Sequence, residues 1–207
     1  MLTDLTLTEF LKKLGSKAPA PGGGSSAALA ASLGANLLSM VCQLTAGKAG
    51  YEDYWDECRR EDTEIAEAAE RLRRLINEDT EAFNELMASF KLPKESPEEK
   101  TARRDEIQRC TRRATEVPLE TARLCRSLLT KAPRLALIGN KNAISDIGVG
   151  ALLLTAGLNG ALLNVQINLG GLKDEGLVRE LKNTVKNLQE GVSTDLNAAM
   201  TKVHERL

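Results

Sequence analysis

The 207 residues include a single histidine, four cysteines and few aromatics, namely one Trp, two Tyr and three Phe. The histidine, His204, stands close to the chain end, where a His-based triad or a His-ligated metal would have to be built from a fraying terminus. Those chemistries are set aside. Cys42, Cys58, Cys110 and Cys125 are too widely spaced for a metal knuckle or a redox dithiol, so they read as reduced core residues of a cytosolic protein. No metal is expected. Charge of one sign is also missing, since 28 basic residues face 29 acidic ones for a net charge of −1. Nucleic acid and anionic membrane surfaces are therefore not expected partners. β-formers are scarce as well: eight Val and seven Ile stand against 33 Leu and 25 Ala. That is a helix-former's composition. The expectation is an all-α helical bundle, one domain over residues 1–207, large enough to bury a core without disulfides. An acid at position 4 and no basic stretch before an apolar run argue against a secretory leader and for a cytoplasmic location.

What the chain does contain is two long stretches without charge, Ala18 to Gly47 and Ile147 to Leu172. Both reach membrane-span length, but each carries neutral polar residues and no aromatic belt. Buried helices at the centre of a bundle are the better reading, because a helix without a charged face has no side suited to water. The first stretch has two rows, one apolar (Leu29, Leu33, Leu37, Met40, Leu44) and one small or polar (Ser25, Ser32, Asn36, Ser39, Gln43). Glycines at 150, 157 and 160 in the second stretch cost helix stability, so something approaches that face closely. Tight helix packing and a polar pocket both satisfy this.

Other helices are expected around this centre. Thr6 and Glu9 form a capping box before a short helix that ends near Gly15, and Pro19 to Ser26 is a break followed by a new start. An amphipathic helix runs over about 52–90, and another restarts at Ser96-Pro97 with a kink or break at Pro118 and a loop from Pro133 to Asn142. A last helix covers about 174–205.

Two acids stand out as candidates for general acid/base work. Asp146 is the only acid between residues 121 and 173 and falls in the first turn of the second uncharged helix, where Asn142 is placed to cap it. The helix dipole alone favours a carboxylate there. Asp79 interrupts the apolar stripe between Ile76 and Phe83, where it must find a donor or rise in pKa; pairing with Arg109 or Arg113 is the structural alternative. The turn Gly22, Gly23, Gly24, Ser25 joins a flexible segment to a helix N-terminus whose free N–H groups suit a carboxylate or carbonyl oxygen. Lys48, beside Tyr51, Tyr54 and Trp55, is a candidate for an acidic tail, and Asn164 and Asn168 offer amides on one helix face.

Six blocks in order resemble one known family. They are Pro19 to Ala28, Asp79 with Ala82-Phe83, Lys91-Leu92-Pro93, Val117-Pro118-Leu119, Gly139-Asn140 with Ser145-Asp146, and Asn164-Val165 with Ile167-Asn168-Leu169. Together they are similar to the cyclodeaminase domain of formiminotransferase-cyclodeaminase and the related stand-alone methenyltetrahydrofolate cyclohydrolases. The resemblance implies an all-helical homodimer that binds a tetrahydrofolate derivative, possibly polyglutamylated, in a cleft near the subunit interface, with no metal, nucleotide or other cofactor. It implies closure of 5-formiminotetrahydrofolate to 5,10-methenyltetrahydrofolate with loss of ammonia, or hydrolysis of the methenyl bridge to 10-formyltetrahydrofolate. Both pass through a tetrahedral carbon between nitrogens. On that reading Asp146 shuttles protons, Asp79 is the second acid/base group or the pterin anchor, and Gly22, Gly23, Gly24, Ser25, Asn140, Asn164 and Asn168 line the cleft. The cyclodeaminase reaction is the first expectation and the cyclohydrolase the alternative, while a non-catalytic scaffold or folate binder is a competing class.

Overall fold

The structure, a computed structural model, describes residues 1–207. Seven α-helices carry the fold: α1 (Leu7–Leu14), α2 (Gly23–Thr45), α3 (Trp55–Ser89), α4 (Pro97–Ile138), α5 (Ile144–Leu169), α6 (Glu175–Gln189) and α7 (Val192–Arg206). No strand is present. Local chemistry sets several boundaries. The Thr6–Glu9 and Ser96–Glu99 capping boxes start α1 and α4, as their spacing predicts. The last helix does not run through. Gly191, at φ 76°, ends α6 and starts α7, a conformation that costs glycine little.

α4 is longer than expected. It continues through both Pro118 and Pro133 to Ile138, so the loop begins at Gly139 rather than at Pro133. A proline removes one intrahelical bond without ending a helix whose flanks are held by packing, and both prolines lie within a long, heavily buried helix. α5 has no side-chain cap: Asn142 does not cap it, and Asn140 instead caps the single turn Lys141–Ala143 that precedes it, accepting from the Asn142 N–H at 3.0 Å.

α2 and α5 lie antiparallel at the centre, α3 covering α2 and α4 covering α5, with α7 packed on α4 and α5. Glycines make the central approach possible. A Cβ on Gly157 would stand 2.9 Å from both the Ala27 carbonyl oxygen and the Ala31 Cβ, and one on Gly34 would stand 2.8 Å from the Gly150 carbonyl oxygen. The core is one contiguous cluster of 44 buried residues drawn from all seven helices.

The two rows of α2 are each divided by burial, with Asn36 and Gln43 exposed and Leu29 packed against the core. Ser25, Ser32 and Ser39 are buried against α3, whereas Leu33 (51% exposed), Met40 and Leu44 face outward. The small hydroxyls allow α3 to approach and find partners there, as in Ser39 Oγ donating to Asp62 at 2.5 Å. On α5, Val149, Leu152, Leu163 (66%) and Ile167 (78%) continue the same open apolar side. By length and composition alone α2 and the segment 141–169 are apolar enough to cross a membrane, and about half of each (56% and 50%) is buried in the bundle. Around this centre α3 and α4 exchange ion pairs such as Arg71–Glu120 at 2.6 Å and Arg134–Glu57 at 2.7 Å. All four cysteines are free and buried.

The glycine contact predicts its own test. Gly157→Ala gains about 1 kcal/mol of helix propensity but forces α2 and α5 apart, so thermal or urea unfolding should report a net loss of about 1–3 kcal/mol. Gly15→Ala, beyond the end of α1 where the new methyl meets only the Leu11 carbonyl at 3.4 Å, should not destabilise.

Candidate functional site

At the N-terminal end of α2 the bundle opens into a cavity of about 270 Å³, lined by Gly22, Gly23 and Gly24, by Asp79, Thr80, Phe83 and Leu86 of α3, by Ala114 of α4, and by Asn164, Ile167 and Asn168 of α5. Asp79 is placed by contact. The Gly24 backbone lies so close that a Cβ there would overlap the carboxylate, standing 2.6 Å from its Cγ. Gly24 is the residue that lets a carboxyl group sit against the first turn of α2. The helix has no side-chain cap of its own, since its N-cap is Gly22, and Asp79 takes that place from another element.

Ser25, fully buried, donates from Oγ to Asp79 Oδ2 at 2.9 Å and lies 3.0 Å from Thr80 Oγ1. With its own proton committed to the carboxylate, the Ser25 hydroxyl accepts from Thr80, which gives a chain of donation from Thr80 through Ser25 to Asp79. Burial pushes the Asp79 carboxyl up from the ordinary value, and the Ser25 hydrogen bonds oppose that rise. The ion pair with Arg109 or Arg113 does not form; those arginines pair with Glu106 and Glu85 of their own surface.

The asparagines close the far wall. Asn164 Nδ2 donates to Gly160 O at 2.9 Å and Asn168 Nδ2 to Ala114 O at 2.7 Å. A larger cleft of about 520 Å³ lies between α5 and α6, lined by residues such as Gln166, Leu169, Lys182 and Lys186. It contains no acid and none of the ten candidate site residues. The smaller cavity has the convergent polar groups that a binding site needs.

Of the ten residues marked from sequence, the cavity brings together Gly22, Gly23, Gly24, Asp79, Asn164 and Asn168, with Ser25 behind Asp79 rather than on the surface. Three lie elsewhere. Asp146 sits half-buried in the first turn of α5, about 27 Å along the helix from Asn164, and makes no side-chain hydrogen bond or ion pair. Within one protomer it cannot share a reacting carbon with Asp79. Asn140 is buried in the joint that closes α2, its backbone N–H donating to Thr45 Oγ1 (2.8 Å) and its Nδ2 to the Leu44 carbonyl (3.1 Å), so it is fully engaged away from the cavity. Lys48 is at that same distant end, its carbonyl accepting from Trp55 Nε1 at 3.0 Å, while Tyr51 accepts from the Lys141 N–H. The aromatic cluster ties a connection rather than stacking a ligand. Thr80 and Ile167 were not foreseen as lining residues. The signal for Thr80 was the pair of polar residues breaking the stripe between Ile76 and Phe83.

A family model described as formiminotransferase-cyclodeaminase matches residues 6–187. The chain belongs to the formiminotransferase-cyclodeaminase family. It is 41% identical to the methenyltetrahydrofolate cyclohydrolase of Methylorubrum extorquens over 97% of this chain and 94% of that protein. It is 35% identical to the rat formimidoyltransferase-cyclodeaminase over 93% of this chain, and there it spans only 36% of the longer protein. In fold it matches the crystal structure of formiminotetrahydrofolate cyclodeaminase from Thermotoga maritima, with TM-score 0.88 at 27% identity, over 99% of this chain and 98% of that one. Membership supports an enzyme of folate one-carbon metabolism, and the cavity brings together residues of three of the six sequence blocks, those at 19–28, 79–83 and 164–169.

The raised Asp79 carboxyl carries a stability signature. A group that holds its proton more tightly when folded contributes stability below its unfolded pKa, lost as pH rises through the folded value. Asp79→Asn keeps an oxygen to accept from Ser25 and removes the buried charge. Its unfolding free energy should therefore lose part of the decline that the parent protein has on going up from about pH 4, and match or exceed the parent at pH 7. A variant markedly less stable at pH 7 would contradict the burial assignment.

Proposed function

We propose that this chain is a methenyltetrahydrofolate cyclohydrolase: water adds to the methenyl carbon between N5 and N10, and the carbon–N5 bond then breaks to give 10-formyltetrahydrofolate. The observation that carries this reading is the end-to-end match, at 41% identity, to a cyclohydrolase of nearly the same length. Cyclodeamination of 5-formiminotetrahydrofolate is the second reading, favoured by the equally complete fold match to the Thermotoga maritima protein. Both reactions need a proton taken from a nucleophile and one delivered to a leaving nitrogen at a tetrahedral carbon. The reading invokes no metal or cofactor beyond the folate.

A cavity of about 270 Å³ holds one ring system rather than a whole folate. The pterin goes in, because Asp79 repels the anionic glutamate end and Phe83, Leu86 and Ile167 offer apolar walls. Asp79 anchors that ring. The reacting carbon then lies toward the mouth, beside Gly23 and the open apolar side of α5.

That side is where a second copy seats in this reading. Leu33, Met40, Leu44, Val149, Leu152, Leu163 and Ile167 form an uncharged face whose exposure to water is costly, and a self-complementary face closes as a two-fold dimer. Packed end for end, the Asp146 end of one subunit meets the Gly23 end of the other. In that homodimer Asp146 moves protons at a carbon anchored by Asp79 of the neighbouring subunit.

Absorbance of methenyltetrahydrofolate, followed with purified protein, tests the reaction. Hydrolysis well above the buffer rate supports the first reading, turnover of the formimino substrate alone supports the second, and turnover of neither removes both. Asp79→Asn and Asp146→Asn should each lower activity about 10²- to 10⁴-fold. Co-refolding the two inactive variants should then restore about a quarter of the sites, since half of the dimers are mixed and each carries one intact site. Loss in both variants with no recovery on mixing places Asp146 outside a shared site.

A further inference from the structure

Pro118 does not break α4, yet its missing N–H has a consequence on the other side of the helix. In a regular helix the N–H of residue 118 donates to the carbonyl of residue 114; a proline there leaves that carbonyl free, and its ring tilts the carbonyl outward. Ala114 lines the cavity, and its freed oxygen is the one that accepts from Asn168 Nδ2 at 2.7 Å. The vacancy left by a proline in α4 thus fixes an amide on α5.

The choice of partner settles which way the amide faces. With Nδ2 held by a carbonyl, which can only accept, the other end of the Asn168 side chain is the oxygen, and it has no hydrogen-bond partner within the protein. Asn164 repeats the pattern, its Nδ2 held by Gly160 O and its oxygen without a protein partner. Asp79 adds a carboxylate on the opposite wall, already taking the Ser25 proton on Oδ2. The Thr80 and Ser25 hydroxyl protons are spent on one another and on Asp79. The cavity therefore presents oxygen acceptors from two sides.

We propose that Pro118 is a positioning residue that makes Asn168 an acceptor, so that Asp79 and Asn168 together read the N–H-rich amino-pyrimidine edge of the ligand. This rests on the folate reading of the cavity and deepens it. Adjacent N–H donors at the 2-amino group and N3 meet the Asp79 carboxylate, a pairing with two parallel bonds. Asn168 takes a further ring N–H. A ring with an oxygen in place of the 2-amino group brings an acceptor against acceptors and leaves buried polar groups unpaired, the situation that discriminates most strongly between ligands of one shape.

The experiment measures dissociation constants, by calorimetry, for 5-formyltetrahydrofolate, whose reduced ring carries the N8–H that Asn168 accepts, and for its analogue carrying oxygen in place of the 2-amino group. The parent protein should bind the amino compound about 30-fold or more tightly than the oxo compound. Pro118→Ala restores the intrahelical N–H, releases the Asn168 amide to turn, and should reduce that preference several-fold in a protein whose unfolding midpoint is not lowered. A proline with a merely structural role would change stability and leave the preference alone. Asn168→Ala reads the amide directly and should also reduce the preference, which keeps the test decisive if Pro118→Ala fails to fold. Equal binding of the two ligands by the parent, or an unchanged preference in the variants, overturns the assignment of the edge while the folate reading stands. Failure of both ligands to bind overturns the folate reading and this inference with it.

Discussion

The contact between the Asp79 carboxylate and the first turn of α2 is the constraint on which the rest of the site depends. It joins two elements that would otherwise only pack. α2 begins with Gly22, Gly23 and Gly24, which have no side chain to satisfy the helix N-terminus, and α3 supplies the missing anion from its apolar face. The glycine at 24 makes the approach sterically possible, Ser25 and Thr80 orient the carboxylate, and the resulting gap between α2, α3 and α5 is the cavity. The carboxyl group is desolvated in the process, and its raised pKa is the cost of that position.

A second constraint runs along the whole molecule. Gly34, Gly150 and Gly157 bring α2 and α5 together so closely that backbone atoms meet, and this fixes where Asn164 stands relative to Gly23. The hydroxyls of Ser25, Ser32 and Ser39 on α2 face α3, and Leu33, Met40 and Leu44 face outward beside Val149, Leu152 and Leu163 of α5. A helix pair that is apolar on both sides has its inner side satisfied by α3 and α4 and its outer side left for something else. In the proposed function that outer side is taken by a second copy of the chain.

Much of this was legible in the residues. Helix-former composition, the two capping boxes and the charge-free segments give the bundle and most of its boundaries, and the glycine turn, Asp79 and the two asparagines give the cavity. What was not legible has physical causes. Periodicity identifies two rows on α2 but not which faces inward, because a leucine row and a serine row each satisfy a neighbour when the neighbour is unseen. Proline statistics foretell a break at Pro118 and Pro133, yet a long buried helix absorbs the lost bonds. Asp146 and Asn140 are marked by family pattern and Lys48 by type alone, and the antiparallel path of α2 and α5 places all three at the end of the bundle away from this cavity. Chain order carries no information about which end of a helix meets which cavity.

The most direct test of the central contact is a carbon NMR titration of the Asp79 carboxyl, in the free protein and with a folate bound. The account predicts a pKa above the usual aspartate range when the cavity is free, moving down on binding as ligand N–H groups stabilise the ionised form. An ordinary pKa that does not respond to the ligand would contradict both the buried position of the carboxylate and its role in holding the ring.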